Sequence, residues 1–116
     1  MKYILLIYAP EAGWSQLTPE QQKQGVAAYN AYTEALNAAG VRIASDRLRD
    51  TGTATSVRIV NGETKVLDGP YAESKEQLGG FYMIDVPDLD TALSWAARCP
   101  GAAYGTIEVR PIWETY

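Results

Sequence analysis

Acid, base and aromatic groups crowd one stretch of this chain, where Asp68 is followed by Glu73, Lys75 and Glu76. Asp68 can serve as a general acid or base where apolar neighbours raise its carboxyl towards neutrality. The competing reading is an Asp-Gly-Pro turn, in which the side chain accepts backbone N–H groups and Gly69 supplies an unusual φ. The two roles are compatible. The mixed run Glu73, Lys75, Glu76 suits either the positioning of a polar ligand or a solvated loop. Tyr8, Tyr82 and Trp14 offer apolar walls with hydrogen-bonding tips, although aromatics on strands also serve as plain core. Arg58 and Arg110 fall on the polar sides of strands, where a guanidinium anchors a carboxylate ligand or simply faces water.

The chain has no histidine. That excludes imidazole acid–base catalysis and any histidine-built metal site, and no metal or cofactor is expected. Gly79-Gly80 is followed by neither a helix start nor a Lys-Ser or Lys-Thr pair, so it is no phosphate loop and reads as a bulge or tight strand approach. Cys99, the single cysteine, lies near a helix end with no activating group in view and reads as structural. It can form no intramolecular disulfide, which agrees with a cytoplasmic location.

The elements that must position these groups follow from periodicity. Lys2 to Tyr8 is apolar on both alternating faces, as a strand covered on both sides would be. Thr18-Pro19-Glu20-Gln21 carries a capping box with proline at the first helical position, and the helix it opens ends at Gly40 as a left-handed cap. Its inner stripe is expected at 25/26, 28/29, 32/33, 35/36 and 39. Val41 to Arg49 reads as a strand. Thr53 to Val60 and Glu63 to Leu67 form the arms of a hairpin around Asn61-Gly62, a type I′ turn signal. That turn pairs Val57 with Val66, Arg58 with Lys65 and Ile59 with Thr64, and it continues the apolar face to Asp68. Phe81 to Val86 is a further strand. Asp88 caps a short helix whose Leu89, Ala92, Leu93, Ala96 and Ala97 are expected to face inward, and Thr106 to Trp113 closes the chain as a strand.

This order is that of an α+β, ferredoxin-like split βαβ domain with an added β-hairpin, one domain over residues 1–116. Both helices should cover one sheet face. The other face, with Tyr82 or Phe81, then needs a second subunit, so a homodimer is expected. With 47% hydrophobic residues and a net charge of −4, the chain is an ordinary globular protein of the wrong sign for phosphate binding, and nucleic acid is excluded as a partner. The apolar run from Tyr3 to Ala9 is far short of the ~20 residues that span a bilayer, so no membrane association is expected.

The stretch from Asp68-Gly69-Pro70-Tyr71 through Glu76-Gln77-Leu78-Gly79-Gly80-Phe81-Tyr82 resembles the signature of the YCII-related proteins of the DGPF branch, with Tyr71 where that signature has phenylalanine. Met1 to Tyr8, the Asp88 helix with Trp95-Ala96-Ala97, and Glu108 to Ile112 agree as well. The resemblance implies a dimeric α+β barrel, related in fold to muconolactone isomerases and small monooxygenases. In parts of the wider family a histidine and an aspartate have been proposed as the active site; Asp68 matches the aspartate, and the histidine has no counterpart here. Two functional readings result. One is a homodimeric binder or enzyme for a small polar or aromatic metabolite, with a cleft between sheet and helices, Asp68 as its catalytic carboxylate and Tyr8, Arg58, Glu73, Lys75 and Tyr82 around the ligand. The other is a non-catalytic regulatory or protein-interaction dimer, tied by the resemblance to genes that neighbour those of extracytoplasmic-function sigma factors.

Overall fold

Because β1 (Lys2–Ala9) is apolar on both faces, it sits inside a sheet rather than at its edge. The structure, a computed structural model, describes residues 1–114. In it β1 pairs antiparallel with β5 (Gln77–Asp85) on one side and β6 (Thr106–Pro111) on the other, and β2 (Arg42–Arg47) adds to β5, giving the order β2-β5-β1-β6. A short helix α1 (Glu11–Ser15) precedes the long α2 (Pro19–Ala38), and α3 (Leu89–Arg98) follows β5. The fold is α+β and ferredoxin-like, the subunit fold of the dimeric α+β barrels.

The expected capping box is present: Thr18 accepts from the Gln21 N–H, and the Gln21 side chain accepts from the Thr18 N–H. At the other end Gly40 takes φ 71°, while Val41 N–H reaches back to Leu36 O and Gly40 N–H to Asn37 O. This paired closure satisfies carbonyls that the helix leaves orphaned. Tyr29, Tyr32 and Leu36 of α2 pack with Ala92, Ala96 and Cys99 against Tyr3, Leu5, Ile7, Tyr82, Ile84 and Val86, so both helices cover one face of the sheet.

Several inner-face assignments change. Leu89 and Leu93 are exposed, and Ala97 with them. Helix α3 meets the sheet along Ala92, Ala96 and Cys99, small enough to let its backbone approach, with Trp95 half-buried on one flank and the leucines turned out on the other. At the α2 positions expected to face inward, Val26, Ala28 and Ala39 are likewise exposed. Strand β5 also starts earlier than its apolar run suggests. Ile7 pairs with Gly80 and Tyr8 with Leu78, leaving Gly79 as the extra residue of a bulge.

On the opposite face Ile4, Leu6, Tyr8, Phe81 and Met83 are half-buried, with no helix above them among the described residues. Tyr82, expected there as an alternative to Phe81, lies on the helix side.

The hairpin forms a separate sheet, β3 (Thr55–Val60) with β4 (Glu63–Asp68). Asn61 and Gly62 take φ 51° and 78°, as a type I′ turn demands, and the register is the expected one, Val57 to Val66, Arg58 to Lys65 and Ile59 to Thr64. The hairpin stands out from the body. The radius of gyration is 16.1 Å, against about 13 Å for a compact chain of this length. No helix among the described residues is long and apolar enough to cross a membrane.

Candidate functional site

The bulge at Gly79 falls where β1 ends, and there the strand ends gather polar side chains on the uncovered face. Tyr8 lies opposite Thr106 in the β1–β6 register, and Leu6 opposite Glu108, so Thr106 and Glu108 share the face of Tyr8. Glu76, just before β5, accepts a 2.8 Å hydrogen bond from the Thr106 hydroxyl. Tyr8, Ser74, Glu76, Thr106 and Glu108 together line an open groove. It offers two carboxylates, three hydroxyls and no cation. Such a lining is rich in acceptors and suits a ligand that presents O–H or N–H donors.

A second hollow adjoins the first and shares Ser74. Thr51, Gly52, Gly69, Pro70, Ala72, Glu73 and Gln77 complete it. Its floor is held by a clasp between distant parts of the chain. The Glu11 carboxylate accepts from the Thr51 N–H at 2.7 Å and from the Thr51 hydroxyl at 2.8 Å. Glu11 N–H in turn donates to the Gln77 side-chain oxygen, and Gln77 Nε2 donates to Ser74 O. Gly69 has φ 104°, a conformation that disfavours any side chain, and its N–H donates to Ala54 O at 2.7 Å. The Asp-Gly-Pro segment is thus bent back onto the start of β3.

The residues singled out in the sequence are scattered by the fold. Tyr8 lines the groove, and Glu73 lines the neighbouring hollow. Lys75 is exposed and lines neither. Arg58 projects from the hairpin opposite Lys65, and Asp68 ends β4 opposite Thr55. Asp68 does share the hairpin face of Val57 and Val66, but that face is exposed, so its carboxylate meets no dry cleft within one copy of the chain. Arg110 is exposed near the end of β6. The helices and the sheet enclose the packed core, and neither the groove nor the hollow lies between them. Tyr82 belongs to that core: its hydroxyl shares a 2.7 Å hydrogen bond with Thr33, and its ring meets Tyr32 edge-on at 5.1 Å. Burial pushes the Tyr82 phenol up, with the Thr33 bond acting in the opposite direction. Cys99 is buried, and burial likewise raises its thiol.

Ser74, Thr106 and Glu108 escaped the sequence reading. The alternation Thr106-Ile107-Glu108 was visible, but only the β1–β6 register shows that its polar side joins Tyr8.

The family model for the YCII-related domain matches residues 1–115. The chain belongs to the YCII-related family. An uncharacterized protein of Rhizobium meliloti (strain 1021) is 39% identical over 114 residues, covering 97% of this chain and 92% of that protein. Among solved structures, 5-chloro-2-hydroxyhydroquinone dehydrochlorinase from Burkholderia phenoliruptrix AC1100, in complex with 2,5-dihydroxybenzoquinone, superimposes with a TM-score of 0.60 over 99% of this chain and 96% of its own. At 15% identity that likeness concerns the fold.

Proposed function

We propose that this YCII-related protein is a homodimer that binds a small hydroxylated molecule, planar in shape, in the groove of Tyr8, Ser74, Glu76, Thr106 and Glu108. The convergence of two carboxylates and a tyrosine at one strand end carries the reading. The carboxylates accept the ligand's hydroxyl protons in charge-assisted hydrogen bonds, and the tyrosine ring covers one side of it. The hydroxylated ring bound by the fold neighbour belongs to this ligand class. With no histidine in the chain, any proton transfer in the groove falls to Glu76 or Glu108. Glu73 contributes from the adjoining hollow. The uncovered apolar sheet face, which a second copy would shield from water, supports the dimeric reading.

Titration with 2,5-dihydroxybenzoquinone, read by tryptophan fluorescence, tests the groove. Saturable binding is expected, weakened about tenfold or more by Glu76→Gln with Glu108→Gln, since a hydrogen bond to a charged group contributes about 1.5–3 kcal/mol. No saturable binding, or binding indifferent to the double substitution, removes the groove as the site.

The regulatory or protein-interaction reading draws its support from the exposed apolar hairpin. A structure in which that hairpin rests on a protein of another sequence would place it ahead.

A further inference from the structure

We propose that Gln77 is the positioning residue of the groove: its side-chain amide fixes Ser74, and through it Glu76, where their oxygens meet the ligand. The inference rests on the ligand-binding groove proposed above and names what sets its shape. Ser74 and Glu76 supply two of the five side chains that line the groove, and Ser74 also lines the adjoining hollow. Both belong to the segment 70–76, which has no regular secondary structure. No ladder or helix fixes such a segment, so its course depends on side-chain bonds.

Those bonds form one continuous line. Thr51 donates to the Glu11 carboxylate through its N–H and its hydroxyl. Glu11 N–H donates to Gln77 Oε1 at 2.9 Å, and Gln77 Nε2 donates to Ser74 O at 2.6 Å. Ser74 Oγ accepts from the Glu76 N–H at 3.3 Å, and the Glu76 carboxylate accepts from the Thr106 hydroxyl at 2.8 Å. Gln77 stands in the middle of the line and is its anchored member, because it opens β5 and pairs with Ala9 at the end of β1. Pro10, which precedes α1, makes no side-chain cap, so the first N–H of that helix takes its acceptor from Gln77 instead. Glu11 N–H can only donate and Ser74 O can only accept, which determines the orientation of the amide between them. A carboxylate of the same length accepts but cannot donate, and an apolar side chain does neither. One amide thus ties a helix start and an irregular loop to a strand end, and the groove inherits the loop's position.

Two substitutions in the full chain test this. Gln77→Leu should bind 2,5-dihydroxybenzoquinone about tenfold more weakly than wild type, a loss the size of one hydrogen bond. In Gln77→Glu the protonated carboxyl accepts from Glu11 N–H and donates to Ser74 O, as the amide does, whereas the ionised form turns a lone pair towards Ser74 O. Glu11 is bonded at this position, Glu73 shares its hollow, and Lys75 is exposed. Like charge and the Ser74 carbonyl therefore raise the introduced carboxyl above the ordinary ~4.3. The affinity of Gln77→Glu relative to wild type, taken at each pH so that the ionisation of ligand and groove cancels, should be near one at about pH 4.5. It should fall about tenfold by about pH 7. A Gln77 that serves stability alone moves the thermal midpoint without such a profile. Circular dichroism at each pH checks that the variants are folded, and if Gln77→Leu is not, the profile of Gln77→Glu decides. Full affinity in folded Gln77→Leu, or a ratio flat across pH in Gln77→Glu, overturns the proposal while leaving the groove standing. Hydrogen exchange at the Glu76 amide, read without ligand, should be faster in both variants at neutral pH than in wild type, and an unchanged rate likewise overturns it. Lack of saturable quinone binding by wild type overturns the groove reading, and the exchange rate then decides by itself whether Gln77 holds the loop.

Discussion

The body and the arm formed by the β3–β4 hairpin use the same kinds of residue to opposite ends. In the body Leu5, Leu36 and Ile84 are fully withdrawn from water, whereas in the arm Val57, Ile59 and Val66 stand more than half in it. Strand period and turn chemistry are satisfied equally in both. What separates them is the presence of a second layer. Helices α2 and α3 close over one sheet face, while among the described residues no helix closes over the hairpin or the other face. Apolar patterning therefore specifies that a surface is to be buried without specifying by what.

The largest effect that can sharpen this contrast is a cavity in the body. Leu36→Ala should cost about 2–5 kcal/mol in chemical denaturation, because a fully buried leucine leaves a void that the close-packed core fills only in part. An equivalent truncation in the arm, Ile59→Ala, should cost much less in the unfolding of a single copy. A loss as large as that of Leu36→Ala, measured on monomer, would mean that the arm has a core of its own.

Next in size is the clasp that joins arm to body. Glu11→Ala strips two acceptors from Thr51 and should cost about 1–2 kcal/mol, less than a buried charged hydrogen bond would because the site is partly solvated. Hydrogen exchange at Thr51 and through β3 should rise with it. If exchange there stays at the wild-type rate, the clasp does not hold the arm. Tyr82→Phe removes the partner of Thr33 in the core and should cost about 1 kcal/mol, with quinone binding unchanged because Tyr82 lies on the far side of the sheet.

Smaller still is Asp68→Asn, expected within about 0.5 kcal/mol of wild type as an exposed change at the end of a strand. A selective loss of quinone affinity in this variant would bring Asp68 into the ligand site. The least effect belongs to pH. Hydrogen bonds from the Thr91 hydroxyl and N–H hold the Asp88 carboxyl below its ordinary value of 3.8. A depressed folded value means that the cap's contribution is present above the unfolded value and fades as pH falls through the folded one. The gap in thermal midpoint between wild type and Asp88→Ala should accordingly hold at neutral pH and narrow below pH 3.8; a gap unchanged in acid would show that the cap does not depend on charge.

Local chemistry was legible in the sequence because its causes are local. Thr18 and Gln21 find each other within one helical turn, Asn61-Gly62 sets a turn whose register follows by counting, and Asp88 caps the residue three positions on. The motif around Asp68 named the family for the same reason, as a contiguous string. Only the tertiary structure decided which faces are covered and which side chains meet. Tyr8 joins Glu76, Thr106 and Glu108 through strand pairings that bring together residues about a hundred positions apart in the chain. Leu93 and Tyr82 exchanged their expected surroundings because burial depends on which helix flank touches the sheet and which sheet face the helices choose. Periodicity marks the positions that share a face; long-range packing determines whether that face meets a helix, a ligand or a second copy of the chain.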